Sequence, residues 1–125
     1  MELNCLRNCF YNENITFYSI QKEDEFNELN DFPEIINLSS ELSDFSMTAA
    51  ILKNLDLLIT IDSAPVHLSG ALGVKTLLLL PSNSEWRWFK DNHKTLWYDS
   101  VDIQQQLYPY SWENIDAKIN EYLKK

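Results

Sequence analysis

The strongest pattern in the chain is a pair of short, nearly charge-free runs separated by a helix-like segment. Leu57-Leu-Ile-Thr-Ile61 and Lys75-Thr-Leu-Leu-Leu-Leu80 show no alternation of apolar and polar positions. Strands of that kind occur where both faces of a sheet are covered, so the two runs are predicted to be adjacent central strands of a parallel sheet. Pro65 to Leu72 predicts the helix between them. Proline suits the first turn, where its missing N–H has no intrahelical partner, and Gly73 suits the end. The second run stops at Pro81.

Weaker signals flank this unit. Leu3, Leu6, Cys9 and Phe10 recur at helix-like spacing. Ile15 to Ile20, rich in β-branched and aromatic residues, predicts a buried strand, and Ile35 to Leu38 a second short one. The polar stretch between them, Gln21 to Pro33, reads as a loop with room for one helical turn. Asp44 or Ser46 is expected to cap a helix through Met47, Ala50, Ile51 and Leu55. Val101 to Leu107 predicts an edge strand. Ser111 is placed to cap a last helix with Ile115, Ile119 and Leu123 on one face. Apolar strands alternating with short helices indicate an α/β fold, a Rossmann-like parallel sheet wound right-handedly with helices on both faces. A length of 125 residues fits one such domain spanning 1–125.

Charge narrows the choice of partners. Nineteen acids against ten bases leave a net charge of −9. A surface of that sign repels nucleic acid and anionic lipid, which need Lys and Arg to release counterions. The longest continuous apolar run, Leu77 to Pro81, is too short to span a bilayer. MELNCLRNCF lacks the apolar core and small-residue cleavage site of a signal peptide. Cys5 and Cys9, four apart, would share one face of a helix as packed thiols, with no neighbouring His or Cys to complete a zinc set. The expectation is a cytoplasmic, reduced protein without metal or cofactor.

The segment that carries chemistry is Ile61-Asp-Ser-Ala-Pro-Val-His-Leu-Ser-Gly-Ala-Leu-Gly73. It leaves the C-terminal end of a strand and opens into a helix, the place where ligands sit in open α/β sheets. A helix N-terminus offers unpaired N–H groups and the positive end of its dipole, which suit a phosphate. Ser63 and Ala64 are small enough for an anion to approach the backbone, and the Ser63 hydroxyl and His67 ring add donors. The plainer reading is that Asp62 and Ser63 cap the helix and His67 is a half-buried structural histidine.

The run DFSMTAAILKNLDLLITIDSAPVHLSGALGVKTLLLLP resembles the C-terminal, nucleotide-sugar-binding domain of family 9, heptosyltransferase-like glycosyltransferases. The features carrying it are Asp62 and Ser63 at the turn, His67, and the helix end Ala71-Leu72-Gly73 before an apolar strand. EWRWFKDN and LWYDS, holding Glu85 to Trp88 and Trp97, Tyr98 and Ser100, are similar to the subgroup linked to tetratricopeptide repeats. The resemblance extends over roughly residues 15–123. It implies one half of a two-domain GT-B fold, inverting transfer without a metal, and a nucleotide-diphosphate sugar as ligand. Asp62, Ser63 and His67 would then lie at the diphosphate, with the Ser63 and Ala64 amides helping. Gln21 and Thr48 would line the same crevice. The acceptor-binding half, which supplies the catalytic carboxylate in that family, has no counterpart among these residues, so no catalytic residue is assigned. Asp62 reads as a structural or ligand-orienting acid. A homodimer, or a partner protein supplying the other half, is therefore expected.

The departures bear on affinity. Asp99-Ser-Val-Asp-Ile-Gln-Gln-Gln106 stands where relatives carry arginines, with Asp102 and Gln105 at basic positions, so binding is expected to be weak. Trp86, Trp88, Trp97 and Trp112 divide between core packing and a crevice role. Arg87 is either a ligand contact or a surface ion pair with Glu85 or Asp91. Two functions stay open: part of a glycosyltransferase, or a non-catalytic binding module that retains the fold.

Overall fold

In a computed structural model of the chain, residues 1–23, 27–83, 88 and 95–124 are described. The elements run β1 (Tyr18–Ser19), β2 (Ile36–Asn37), α1 (Phe45–Lys53), β3 (Leu58–Ile61), α2 (Ala64–Leu72), β4 (Thr76–Leu80), β5 (Val101–Gln105) and α3 (Ile115–Leu123), with 3₁₀ helices at Leu3–Tyr11, Glu28–Asp31 and Ser39–Glu41. Among the described residues every pairing between these strands is parallel, which makes the fold mixed α/β and compatible with a Rossmann-like half-domain. The chain divides into two compact units, one of Met1–Ser43 with Trp112–Lys125 and the other of Asp44–Ser111.

The unit from Asp44 to Ser111 holds the three-stranded sheet, ordered β3-β4-β5. All five residues of β4 are buried. Complete burial of a leucine is worth about 1.5–3 kcal/mol, so Leu77 to Leu80 make β4 the centre of this unit. Thr76, Leu78 and Leu80 share one face with Val101 and Ile103, their neighbours in register. Val66 of α2 and the fully buried Trp88 complete the cluster on that face. A chain of hydroxyls fastens the helix there: Thr76 Oγ1 donates to Ser69 Oγ at 2.8 Å, and Ser69 Oγ donates to the Val66 carbonyl at 2.9 Å. Both residues are completely buried, where an unpaired hydroxyl would be costly.

β3 is adjacent to β4 as predicted, but it forms an edge of the three-stranded sheet and is not central. Of its four residues only Leu58 is buried, and Ile61 is 48% exposed. An apolar run reports how much of a strand is covered and does not count its neighbours. β5 is the other edge, as expected of Val101 to Leu107, although it ends at Gln105. α1 is capped by Asp44, whose carboxylate accepts from the Met47 N–H at 3.0 Å and from the Ser46 hydroxyl at 2.6 Å. These bonds hold the Asp44 carboxyl below the ordinary aspartate range, the Ser46 hydroxyl contributing most. Lys53, at the end of α1, donates to the Leu72 carbonyl at the end of α2.

The other unit departs further from expectation. Leu3 to Tyr11 is a 3₁₀ helix with three residues per turn, so Leu6 and Cys9 align and are buried. Cys5 is then offset from Cys9 by about a third of a turn. The two thiols do not share a face: Cys9 is 1% exposed and Cys5 is half-buried, and both are unbridged. Burial, together with the negative charge of Asp116, pushes the Cys9 thiol up to about 11. Ile15 to Ile20 is not a buried strand. Only Tyr18–Ser19 pairs, with Ile36–Asn37, and Tyr18 is 43% exposed. Ile15, Phe17 and Ser19 are half-buried while Thr16 and Tyr18 are exposed, the period-2 signature of a ribbon covered on one side. Phe10 contacts Phe17 and Phe32 edge-on, at 5.1 and 5.2 Å between ring centres. Arg7 lies over the Phe32 ring at 4.8 Å. Ser111 does not cap α3, which begins after Asn114 in the left-handed conformation, φ 61°. α3 packs on the 3₁₀ helix and buries Ile115 and Ile119.

Candidate functional site

The turn from β3 into α2 is built by three local choices. The β3 ladder ends at Ile61, paired with Leu79. Ser63 occupies the N-cap position in extended conformation, φ −155°, but makes no side-chain cap. Its hydroxyl turns back and donates to the Ile61 carbonyl at 3.2 Å, next to Thr60 Oγ1 at 3.3 Å. Pro65 has no N–H, and the Val66 N–H is bound to the Ser63 carbonyl at 3.2 Å. The Ala64 amide is thus left at the open mouth of the helix, and Ala64 itself is exposed. At the far end Gly73 takes φ 73°, and its N–H closes the helix on the Gly70 and Ser69 carbonyls. This is the left-handed cap that glycine adopts without steric cost.

Around the turn a polar cluster is fixed from the core outward. Trp88 is fully buried, so its indole N–H needs a protein acceptor. Asp62 supplies it, Trp88 Nε1 donating to Asp62 Oδ2 at 3.0 Å. The His67 ring stacks on Trp88 with ring centres 5.5 Å apart and planes inclined by 27°. His67 Nε2 faces Asp62 Oδ1 at 3.8 Å, within ion-pair range when the ring is charged but beyond hydrogen-bond length. On the other side His67 Nδ1 is 3.1 Å from the Tyr98 hydroxyl. The His67 side chain is 39% exposed and that of Asp62 26%, so the cluster opens to solvent on one side.

Tyr98 reaches His67 because of Gly70. A β-carbon at Gly70 would come within 2.4–2.7 Å of the Tyr98 ring atoms, so only glycine lets that ring lie on α2. The Tyr98 carbonyl accepts from the Val101 N–H at 3.3 Å, which ties this residue to the start of β5.

The residues singled out from sequence separate accordingly. Asp62, Ser63, Ala64 and His67 stand together at the turn. Thr48 belongs to the same unit, but its hydroxyl donates to the Asp44 carbonyl of its own helix at 3.2 Å. Gln21 lies in the other unit and is exposed. Arg87, with Glu85 and Trp86, lies outside the described residues. Gln105, where a basic residue was expected, and its neighbour Gln106 hold the segment after β4. Gln105 Nε2 donates toward the Pro81 and Ser82 carbonyls at 3.4 Å, and Gln106 Oε1 accepts from the Ser82 N–H at 3.2 Å. The parts that sequence reasoning did not place at the turn are Gly70, Trp88 and Tyr98. A helix-interior glycine three residues after a histidine was the available signal, since such glycines usually have a packing reason.

Among the described residues no group of three His, Cys, Asp or Glu side chains is arranged to hold a metal ion. No helix among them is long and apolar enough to cross a membrane. No family model matches the chain, and neither a curated protein nor a solved structure matches it.

Proposed function

We propose that the turn from Asp62 to His67 is the phosphate-facing part of a binding site for a nucleotide-diphosphate sugar, in a domain akin to the donor-binding half of GT-B glycosyltransferases. The observation that carries this reading is the Ser63 hydroxyl. It bonds backward to Ile61 where an ordinary cap would close over the helix, leaving the Ala64 amide and the positive end of α2 open. Such an end attracts an anion without a metal, and His67 stands one turn away with a nitrogen facing the opening. Asp62 is anchored by Trp88 and serves as the acid that holds this wall in place.

A second, non-catalytic reading is favoured by charge. The net charge of −9 opposes an anionic ligand, and Gln105, standing where a basic residue would be expected, braces the Pro81–Ser82 backbone together with Gln106. Under either reading the affinity is low, with a dissociation constant on the order of 1 mM, about −4 kcal/mol. A second copy of the chain, or a partner protein, would cover the exposed Leu107, Tyr108 and Tyr110.

Equilibrium binding of ADP and UDP to wild type and to Ser63→Leu tests the proposal. A bulky leucine blocks approach to the amides while the sheet and helix contents stay the same by circular dichroism. Binding at least tenfold weaker in the variant supports the site; equal binding overturns it.

A further inference from the structure

We infer that Tyr98 is a positioning residue for His67, fixing the ring so that its Nε2 carries the hydrogen and presents an N–H at the mouth of the Asp62 turn. Two contacts choose the same tautomer. At Nδ1 the Tyr98 hydroxyl is 3.1 Å away, and a phenol O–H is a good donor to an imidazole lone pair. At Nε2 the neighbour is the Asp62 carboxylate at 3.8 Å, which attracts an N–H and repels a lone pair. The opposite tautomer would set a lone pair against the carboxylate. Because 3.8 Å exceeds hydrogen-bond length, the Nε2 hydrogen is directed at the turn without being bound to Asp62. The Trp88 indole beneath the ring and the Tyr98 ring beside it, at 5.5 and 6.0 Å between centres, hold its plane.

Gly70 is the permissive element of this device. It lies one helical turn beyond His67, and its missing side chain is the space the Tyr98 ring occupies. That this N–H meets a phosphate oxygen rests on the nucleotide reading; that the N–H is set by Tyr98 does not.

The test is a long-range proton–nitrogen correlation spectrum of the histidine rings in the full ¹⁵N-labelled chain. His93→Gln leaves His67 as the single histidine. Spectra are recorded at about pH 8.5, above the range in which imidazole protonates. The expected wild-type pattern has Nε2 in the N–H region and Nδ1 in the lone-pair region, displaced toward the N–H region by the bond it accepts. Tyr98→Phe, which keeps the ring on Gly70, should abolish that displacement. Gly70→Ala, which keeps the hydroxyl but drives the ring aside, should do the same. Nδ1 in the N–H region of the wild type, or a His67 spectrum unchanged by Tyr98→Phe, overturns the inference. ADP and UDP added to the same samples separate it from the proposed function. If neither nucleotide perturbs the turn while the Tyr98→Phe effect is present, the binding site fails and the positioning stands. If the nucleotides perturb the Ser63 and Ala64 amides while Tyr98→Phe changes nothing, the positioning fails and the site stands.

Discussion

Gly70 and Tyr98 compete for one volume: a β-carbon on Gly70 would lie 2.4 Å from Tyr98 Cγ. Gly70→Ala therefore forces the tyrosine off the helix. Overpacking costs about 1–3 kcal/mol, and alanine's better helix propensity returns only about 1 kcal/mol. Net destabilisation is expected, read as a lower urea midpoint. Gly73→Ala meets no atom within 4 Å but is strained by its φ of 73°, so it should also destabilise while leaving the tyrosine in place. Tyr98 ring resonances that shift in the first variant and hold in the second identify the packing cause.

Asp62 and Trp88 give a second prediction. Removing the carboxylate by Asp62→Ala leaves a fully buried indole N–H without its acceptor. The expected cost is about 1–3 kcal/mol in denaturant unfolding. Asp62→Asn retains an acceptor oxygen and should lose clearly less. Equal losses would show that the hydrogen bond is not what Asp62 contributes.

The two cysteines should react at very different rates. A disulfide reagent such as DTNB is expected to modify half-buried Cys5 readily and Cys9 only on unfolding. The Cys9 thiol, raised from 9.0 to about 11, is held neutral in the folded state. Its contribution to stability is complete below pH 9.0 and is lost as the pH rises toward 11. The stability difference between wild type and Cys9→Ala should shrink across that window. A constant difference would contradict the assignment.

Asp44 predicts the opposite pH dependence. Its carboxyl is lowered by the Ser46 hydroxyl and the Met47 amide, so the cap stabilises α1 above the ordinary aspartate range and fades as the pH falls through the folded value. Asp44→Ala should lower the melting temperature at neutral pH and matter little in acid, whereas Asp44→Ser, which keeps a capping oxygen, should lose less.

What the chain's pattern reveals is the unit around β4. The run Thr76 to Leu80, charge-free after Lys75, marks a strand buried on both faces, and Pro65 and Gly73 bracket α2 within a residue. What it hides is arithmetic that depends on partners. Leu57 to Ile61 looks as apolar as the central strand yet has one neighbour. Leu3, Leu6 and Cys9 recur every three residues, a period that serves a 3₁₀ helix as well as an α-helix until the packing decides. At the candidate site Asp62, Ser63 and His67 are legible because they are contiguous. Their supports are distant, with Trp88 26 residues from Asp62 and Tyr98 31 from His67. The backward turn of the Ser63 hydroxyl depends on a carbonyl geometry that no residue type encodes.

Whether the open end of α2 receives a diphosphate is decided by amide proton–nitrogen spectra of the labelled chain titrated with ADP and UDP. Saturable shifts are expected at the Ser63 and Ala64 amides and at the His67 ring, with a dissociation constant on the order of 1 mM and no requirement for a divalent metal. Their absence at nucleotide concentrations several times higher, or shifts confined to residues away from the Asp62–His67 turn, would contradict a diphosphate site there.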